Sequence, residues 1–312
     1  MNPWLFRTAV AVLAVALGVA VGAGPLQRSN SERDRQLEAQ KAEVARRQER
    51  VKALEATKTF ADAYATATGP ALLHGALAGR SVALVTLSGA NSDVVAKLRA
   101  DVEAAQGKVT SQVDLGPVMA RSSSRQLVEA LTSQMLTQSP GVTVPADASG
   151  YQRFGALLAR AIGTGPSGNP PEAPYDTTAV SIVSGLQSAE LVAVPQAPTA
   201  RAGLVLVVTG REARSRAEAD NNAVPVTILR ALGQQVPTVV VGPSGAAGAN
   251  GVIGALRAGG DPAAVSTVDS AETAMGQVAG VLALAARARG TVGQYGAVHA
   301  ADGVLPGAPP AG

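Results

Sequence analysis

From residue 81 onward the sequence alternates between short, continuous apolar runs and longer segments of helical pattern, and that alternation leaves few folds open. The runs are SVALVTL (81–87), VTSQV (109–113), ELVAV (190–194), GLVLVVT (203–209), PTVVVG (237–242) and AVSTV (264–268). Most lack the regular polar alternation of a strand with one wet face, so they read as strands covered on both sides. Helical patterns near 92–106, 123–138, 151–162, 176–188, 221–235, 249–258 and 271–289 separate most of them, the first capped by Asn91 or Ser92. The expectation is an α/β domain over 71–298, with a mostly parallel sheet carrying helices on both faces. GTGPSGNPPEAP at 163–174 reads as a surface loop, and residues 299–312, ending GVLPGAPPAG, as a disordered tail.

The 312 residues suffice for one or two domains with a sizeable core. Hydrophobic residues make up 46% but aromatics only 3%, so Ala, Val, Leu and Gly must fill it. Zero Cys removes disulfides, Cys-ligated zinc, iron–sulfur clusters and thiol catalysis. The segment 28–62 holds nine basic and seven acidic residues, whereas 71–312 holds 16 of each and is formally neutral. The pI near 9.4 therefore marks no basic nucleic-acid surface. No nucleic-acid partner is expected.

Ahead of the domain, Thr8 to Gln27 (TAVAVLAVALGVAVGAGPLQ) carries no charge. Twenty residues of helix rise about 30 Å, one bilayer core, so residues 1–27 are expected to be a membrane anchor. A cleaved signal peptide is the alternative, with Ala20 and Gly22 as its small residues; the length of the run favours retention. Residues 28–68 form a polar stalk. From Arg28 to Ala67 there is no Pro or Gly, and Glu, Arg, Ala, Lys and Gln dominate. Leu37, Val44 and Val51 recur at heptad position a, and Leu54 falls at d. Gln40 and Arg47 interrupt the d positions. This pattern admits a coiled coil, and hence a homo-oligomer joined through Leu37, Val44, Val51 and Leu54, or a solitary charge-laced helix. Gly69 and Pro70 are expected to end it.

Chemistry-bearing motifs are scarce. Gly242, Gly245, Gly248, Gly251 and Gly254 follow a strand, but their spacing makes neither G-x-G-x-x-G nor G-x-x-x-x-G-K-[ST], and no Lys occurs after Lys108. They read as a turn with close helix–sheet packing. His74 and His299 lie far apart and outside any triad pattern. Glu218 and Asp220 sit in the charged segment REARSRAEAD and read as solvated. Met119, Met135 and Met275 form no M-x-x-M cluster and read as core filling. No catalytic residue, cofactor site or metal-ligand set emerges, and a non-enzymatic protein is expected. The helix within 270–290, whose apolar stretch runs only from Val278 to Ala286 between Glu272 and Arg287, is too short to span a bilayer and reads as a buried domain helix.

Four features in order resemble the actinobacterial copper transporter family: LGVAVGAGPL in the anchor, the charged stalk, the strand GRSVALV at 79–85, and the block AVSTVDSAETAMGQVAGVLALAARARGTVGQYG at 264–296. The last, with its S-T-V-D turn and G-x-Y-G-like ending, is the most specific. The resemblance implies a single-pass envelope protein in the cell membrane with its main domain outside the cytoplasm. It implies a role in copper transport or in limiting intracellular copper, with copper as transported ion. Relatives associated with envelope assembly and cell division imply an alternative, a scaffold paired with a second membrane protein. The Lys and Arg count taken alone, one residue (Arg7) before the uncharged run and Arg28, Arg33, Arg35 and Lys41 after it, favours the opposite orientation. The resemblance decides here for an outside domain. It transfers no catalytic or metal-ligand residue.

Overall fold

The computed structural model describes the backbone of residues 3–116, Met119, 124–259 and 265–307, with side chains from Arg35 onward apart from Ala217. The chain divides into two compact units, Met1–Phe60 and Ala61–Gly312. A helix, α1 (Pro3–Leu73), opens it. In the first unit every residue from Arg35 to Phe60 is exposed. This stretch is held by helix propensity and by short-range ion pairs: Lys41–Glu38 at 2.9 Å, Arg47–Glu43 at 2.6 Å and Lys52–Glu49 at 3.1 Å. Each exposed pair contributes about 0.3–0.5 kcal/mol.

In the second unit the helix does not stop at Gly69 and Pro70 but runs to Leu73. Leu73 is fully buried, and a Cβ on Gly69 would lie 2.9 Å from a methyl of Val278. Burying such an apolar turn against the domain offsets the cost of an internal proline. The elements that follow are β1 (Ser81–Thr86), α2 (Ser92–Ala104), β2 (Lys108–Leu115), α3 (Arg125–Gln138), α4 (Gly150–Ile162), β3 (Glu172–Pro174) and α5 (Thr177–Ser188). Next come β4 (Val192–Gln196), β5 (Ala200–Ala202), β6 (Leu204–Val208), α6 (Arg216–Ala219), α7 (Ala223–Gln235) and β7 (Thr238–Val241). The chain ends through α8 (Val252–Ala258), β8 (Ser266–Val268), α9 (Ala274–Ala288) and β9 (Gln294–Tyr295).

Seven strands form one sheet in the order β4-β2-β1-β6-β7-β8-β9. Every pairing is parallel except that of β4, which runs antiparallel along β2. Strand residues alternate between two cores. Val82 and Leu84 of β1, Leu204, Leu206 and Val208 of β6, and Val239 and Val241 of β7 share one core with α2, α9 and Leu73. Ala83, Val85, Val205, Val207 and Val240 point into the other, with α4, α5, α7 and α8. Covering both faces is why these strands carry almost no polar residues. On the second face Gly155 lets α4 and α7 approach closely: a Cβ there would lie 2.5 Å from the Ile228 carbonyl oxygen and 2.8 Å from Ala231 Cβ.

Helix starts follow side-chain chemistry. The Asn91 side-chain Oδ1 accepts from the N–H groups of Asp93 (2.8 Å) and Val94 (3.4 Å), and Ser149 with Gln152 makes a capping box. Asp176 caps α5 and Thr273 caps α9. The Asp62 carboxylate accepts from the Ala274 N–H at 3.1 Å, adding negative charge at the same α9 terminus.

Three short strands escape the sequence pattern. Within the Pro-rich loop, β3 pairs antiparallel with β5 in a separate two-stranded sheet. The strand β9 extends the main sheet by two residues. Beyond it, Asp302 Oδ2 accepts from the Gln294 N–H at 2.8 Å, and Leu305 packs against the α9-side core. The stretch from His299 to 307 is thus folded back onto the domain; 308–312 lie outside the described residues.

Candidate functional site

In a sheet wound this way, ligand clefts form at the C-terminal ends of the strands, where successive connections leave in opposite directions. Here that point falls between β1 and β6, since the chain moves from β1 to β2 on one side and returns to β6 on the other. Leu87 donates to the Val208 carbonyl and Thr209 to the Val241 carbonyl, both at 2.9 Å, so the strand ends stay in register as they leave the sheet. The loops after β1 and β6 then touch. A Cβ on Gly210 would lie 2.7 Å from the Gly89 carbonyl, and Gly89 itself has φ +82°.

Beside this contact, on the α7 face, lies a cleft of about 180 Å³. Its floor is Leu87, Leu115, Met119, Ile228 and Val252; its rim carries Ser88, Arg211 and Asn221. Among the described residues none of these three rim side chains has a hydrogen-bond or ion-pair partner. Asn222, also at the rim, is committed: its amide donates to the Asn250 carbonyl at 2.8 Å. The neighbouring Glu212 is turned toward another loop, close enough that a Cβ on Gly248 would lie 2.9 Å from its Oε2.

The other face holds a polar groove of about 350 Å³ at the ends of β1 and β2. Asp114 Oδ1 accepts from Thr86 Oγ1 (2.6 Å) and Gln112 Nε2 (3.1 Å), while Arg99 donates to Gln112 Oε1 (2.9 Å) and to Gln196 Oε1. These groups satisfy one another and tie α2 to the edge of the sheet.

A third cluster closes the C-terminal block. Asp269, just past β8, is fully buried. It accepts from Arg257 Nη1 at 3.0 Å, Ser270 Oγ at 2.7 Å and the Ala297 N–H at 2.7 Å. Arg257 also donates to Thr267 Oγ1 (3.0 Å), the Tyr295 carbonyl (2.7 Å) and the Val298 carbonyl. Burial lowers the Arg257 pKa, and the hydrogen bond and charge of Asp269 oppose that shift. All three guanidinium nitrogens donate, so this is a clasp that fastens α8, β8, β9 and the chain after it, not an open site.

The residues singled out from sequence are scattered. Leu37, Val44, Val51 and Leu54 are 51%, 53%, 51% and 68% exposed on α1, so the monomer leaves all four uncovered. The glycines after β7 serve packing. Gly251 precedes α8, and Gly242, Gly251 and Gly254 each have side chain or backbone where a Cβ would stand. His74 and His299 are both exposed. Glu218 stabilises the start of α6 by accepting from the Arg214 N–H at 2.8 Å. Met119 and Met135 are buried as expected, but Met275 is 52% exposed, because it sits in the first turn of α9 on the side away from the sheet. Among the described residues no group of three or more His, Cys, Asp or Glu could hold a metal ion. Nor is any described helix long and apolar enough to cross a membrane; the anchor expected at 1–27 falls where side chains lie outside the described residues.

The sequence pattern missed Ser88, Arg211 and Asn221. The available signal was position: Ser88 directly follows an apolar strand that the pattern did identify, and Arg211 lies one residue beyond the end of another.

Residues 8–306 match the protein family described as copper transport outer membrane protein, MctB. The chain belongs to the MctB family. Two relatives, both named copper transporter MctB, come from Mycobacterium bovis (strain ATCC BAA-935 / AF2122/97) and Mycobacterium tuberculosis (strain ATCC 25618 / H37Rv). Each is 28% identical over 310 residues, covering 95% of this chain and 95% of the relative. The MctB match thus takes in the stalk and the whole α/β domain up to Pro306, including the Arg257–Asp269 clasp in the block whose sequence resembled the family most.

Proposed function

We propose that this MctB-family chain is a membrane-anchored envelope protein that takes part in copper transport or limits intracellular copper, with its α/β domain outside the cytoplasm. The family match across residues 8–306 carries this reading. The uncharged run from Thr8 to Gln27 supplies a hydrophobic length of about 30 Å for the anchor. One helix cannot enclose a pore, so conduction requires several copies or a partner. Copper is the cargo. Its passage would rest on assembly, since the described domain presents no concentrated set of soft or imidazole ligands. Deleting the gene and measuring cellular copper after copper challenge tests the reading. Raised copper that the intact chain restores is the expected result; unchanged copper content overturns it.

A second reading is favoured by the exposure of Leu37, Val44, Val51 and Leu54. It is a non-enzymatic envelope scaffold for assembly and division, joined through the stalk to another copy or to a second membrane protein. Crosslinking in intact membranes that recovers one specific partner, with copper content unaffected by deletion, would favour it over transport.

A further inference from the structure

We propose that the cleft between the ends of β1, β2 and β6 binds a small organic monocarboxylate whose apolar body is about the size of a benzene ring. Its volume, about 180 Å³, sets the scale of the ligand. An apolar protein cavity of about 150 Å³ accommodates benzene, whereas nucleotide- and drug-sized ligands occupy about 300–1,000 Å³.

Polarity sets the ligand's two ends. The floor of Leu87, Leu115, Met119, Ile228 and Val252 offers no hydrogen bond to a polar body, so an apolar group gains by displacing water there. Arg211 supplies the only charge among the described lining residues, and it has no described partner. Glu212, which could have neutralised it, is turned toward Gly245 and Gly248 instead. A guanidinium presents paired donors that match a carboxylate, and the unspent Ser88 hydroxyl and Asn221 amide add neutral donors at the same rim. The cleft is also preformed, because the Gly89–Gly210 contact and the register of the strand ends fix its wall. A monocarboxylate can place its charge at Arg211 while its body enters the floor; a neutral analogue of the same shape loses the charged contact.

The test uses the full-length chain in mild detergent, with methionine methyl groups labelled for NMR and benzoate as probe. Met119 lines the cleft, whereas Met135 and Met275 do not. Its signal is assigned by its loss in Met119→Leu. Benzoate should shift the Met119 methyl saturably and leave Met135 and Met275 in place. Arg211→Gln, at an exposed position, should weaken benzoate at least tenfold while leaving the weaker response to benzyl alcohol unchanged. Val224→Phe, which narrows the cleft from its wall, should abolish both. The proposal is overturned if the Met119 methyl does not respond to benzoate at 20 mM. It is equally overturned if Arg211→Gln binds benzoate as tightly as the parent chain, or if Val224→Phe keeps the response.

Discussion

Arg257 and Asp269 form an ion pair inside the domain: Nη1 lies 3.0 Å from Oδ2, with the arginine side chain 7% exposed and the aspartate wholly buried. Three further hydrogen bonds from the same guanidinium reach β8, β9 and the segment after it. The pair therefore joins α8 to the strands β8 and β9 and to the segment that follows them.

Removing one partner should cost far more than the pair is worth as a whole. Arg257→Met would leave the Asp269 carboxylate buried with only neutral donors, which destabilises by about 3–5 kcal/mol. Adding Asp269→Asn should recover part of that loss. Denaturant unfolding of the single and double variants measures it; equal stability of the two would show that the charge of Asp269 is met without Arg257.

A second carboxylate gives a pH dependence of defined sign. Burial alone would raise the Asp176 pKa. Hydrogen bonds from Arg160 and the Ala179 N–H, with the charges of Arg160 and Arg201, outweigh burial and hold it below its ordinary value. Asp176 Oδ2 lies 2.9 Å from Arg160 Nη2 and 3.4 Å from Arg201 Nη2. A lowered folded-state pKa stabilises fully above the ordinary aspartate value, about 3.9, and that stabilisation disappears as pH falls through the folded value. Asp176→Asn should thus be less stable than the parent chain at pH 6, with the difference shrinking below pH 4. Thermal unfolding across pH 6 to 3 checks this, and a gap that widens in acid would contradict it.

The α4–α7 crossing offers a steric prediction. Gly155→Ala places a methyl against the Ile228 carbonyl and Ala231, so one of the two helices must shift. Overpacking of this kind costs about 1–3 kcal/mol. Gly141→Ala serves as a control without a clash, since nothing lies within 4 Å of its Cβ position; its φ of +84° still makes it mildly unfavourable. Chemical denaturation should show the larger loss at Gly155.

The stalk makes a prediction about assembly. With Leu37, Val44, Val51 and Leu54 all at least half exposed, changing the four to Asp should leave the thermal unfolding of the α/β domain within about 0.5 kcal/mol, as expected of surface positions. The same variant should lose crosslinking between copies in membranes. Crosslinking that persists would remove these residues from any interface.

Much of the domain could be read without its structure. Runs such as GLVLVVT and PTVVVG are continuous because both faces of β6 and β7 are covered, and caps such as Asn91 announce the next helix through local hydrogen bonds. Signals of this kind reside in adjacent residues. The strands β3, β5 and β9 left no such trace, because two or three residues are too few to show a period and they pair only with chain that is distant in sequence. The exposure of Met275 is hidden from the sequence for a related reason: in a helix this rich in Ala, composition does not say which side meets the sheet.

The sequence by itself determined the class of fold, the charged stalk, the absence of thiol chemistry and the resemblance that leads to the MctB family. These depend on composition, periodicity and motif order, all of which survive in an unfolded chain. Only the tertiary structure decided that α1 continues through Pro70 to Leu73, that Asp269 meets Arg257, and that Arg211, without a partner among the described residues, stands above an apolar floor. Each is a relation between residues brought together by the winding of the sheet, and no pattern along the chain encodes which strand ends become neighbours.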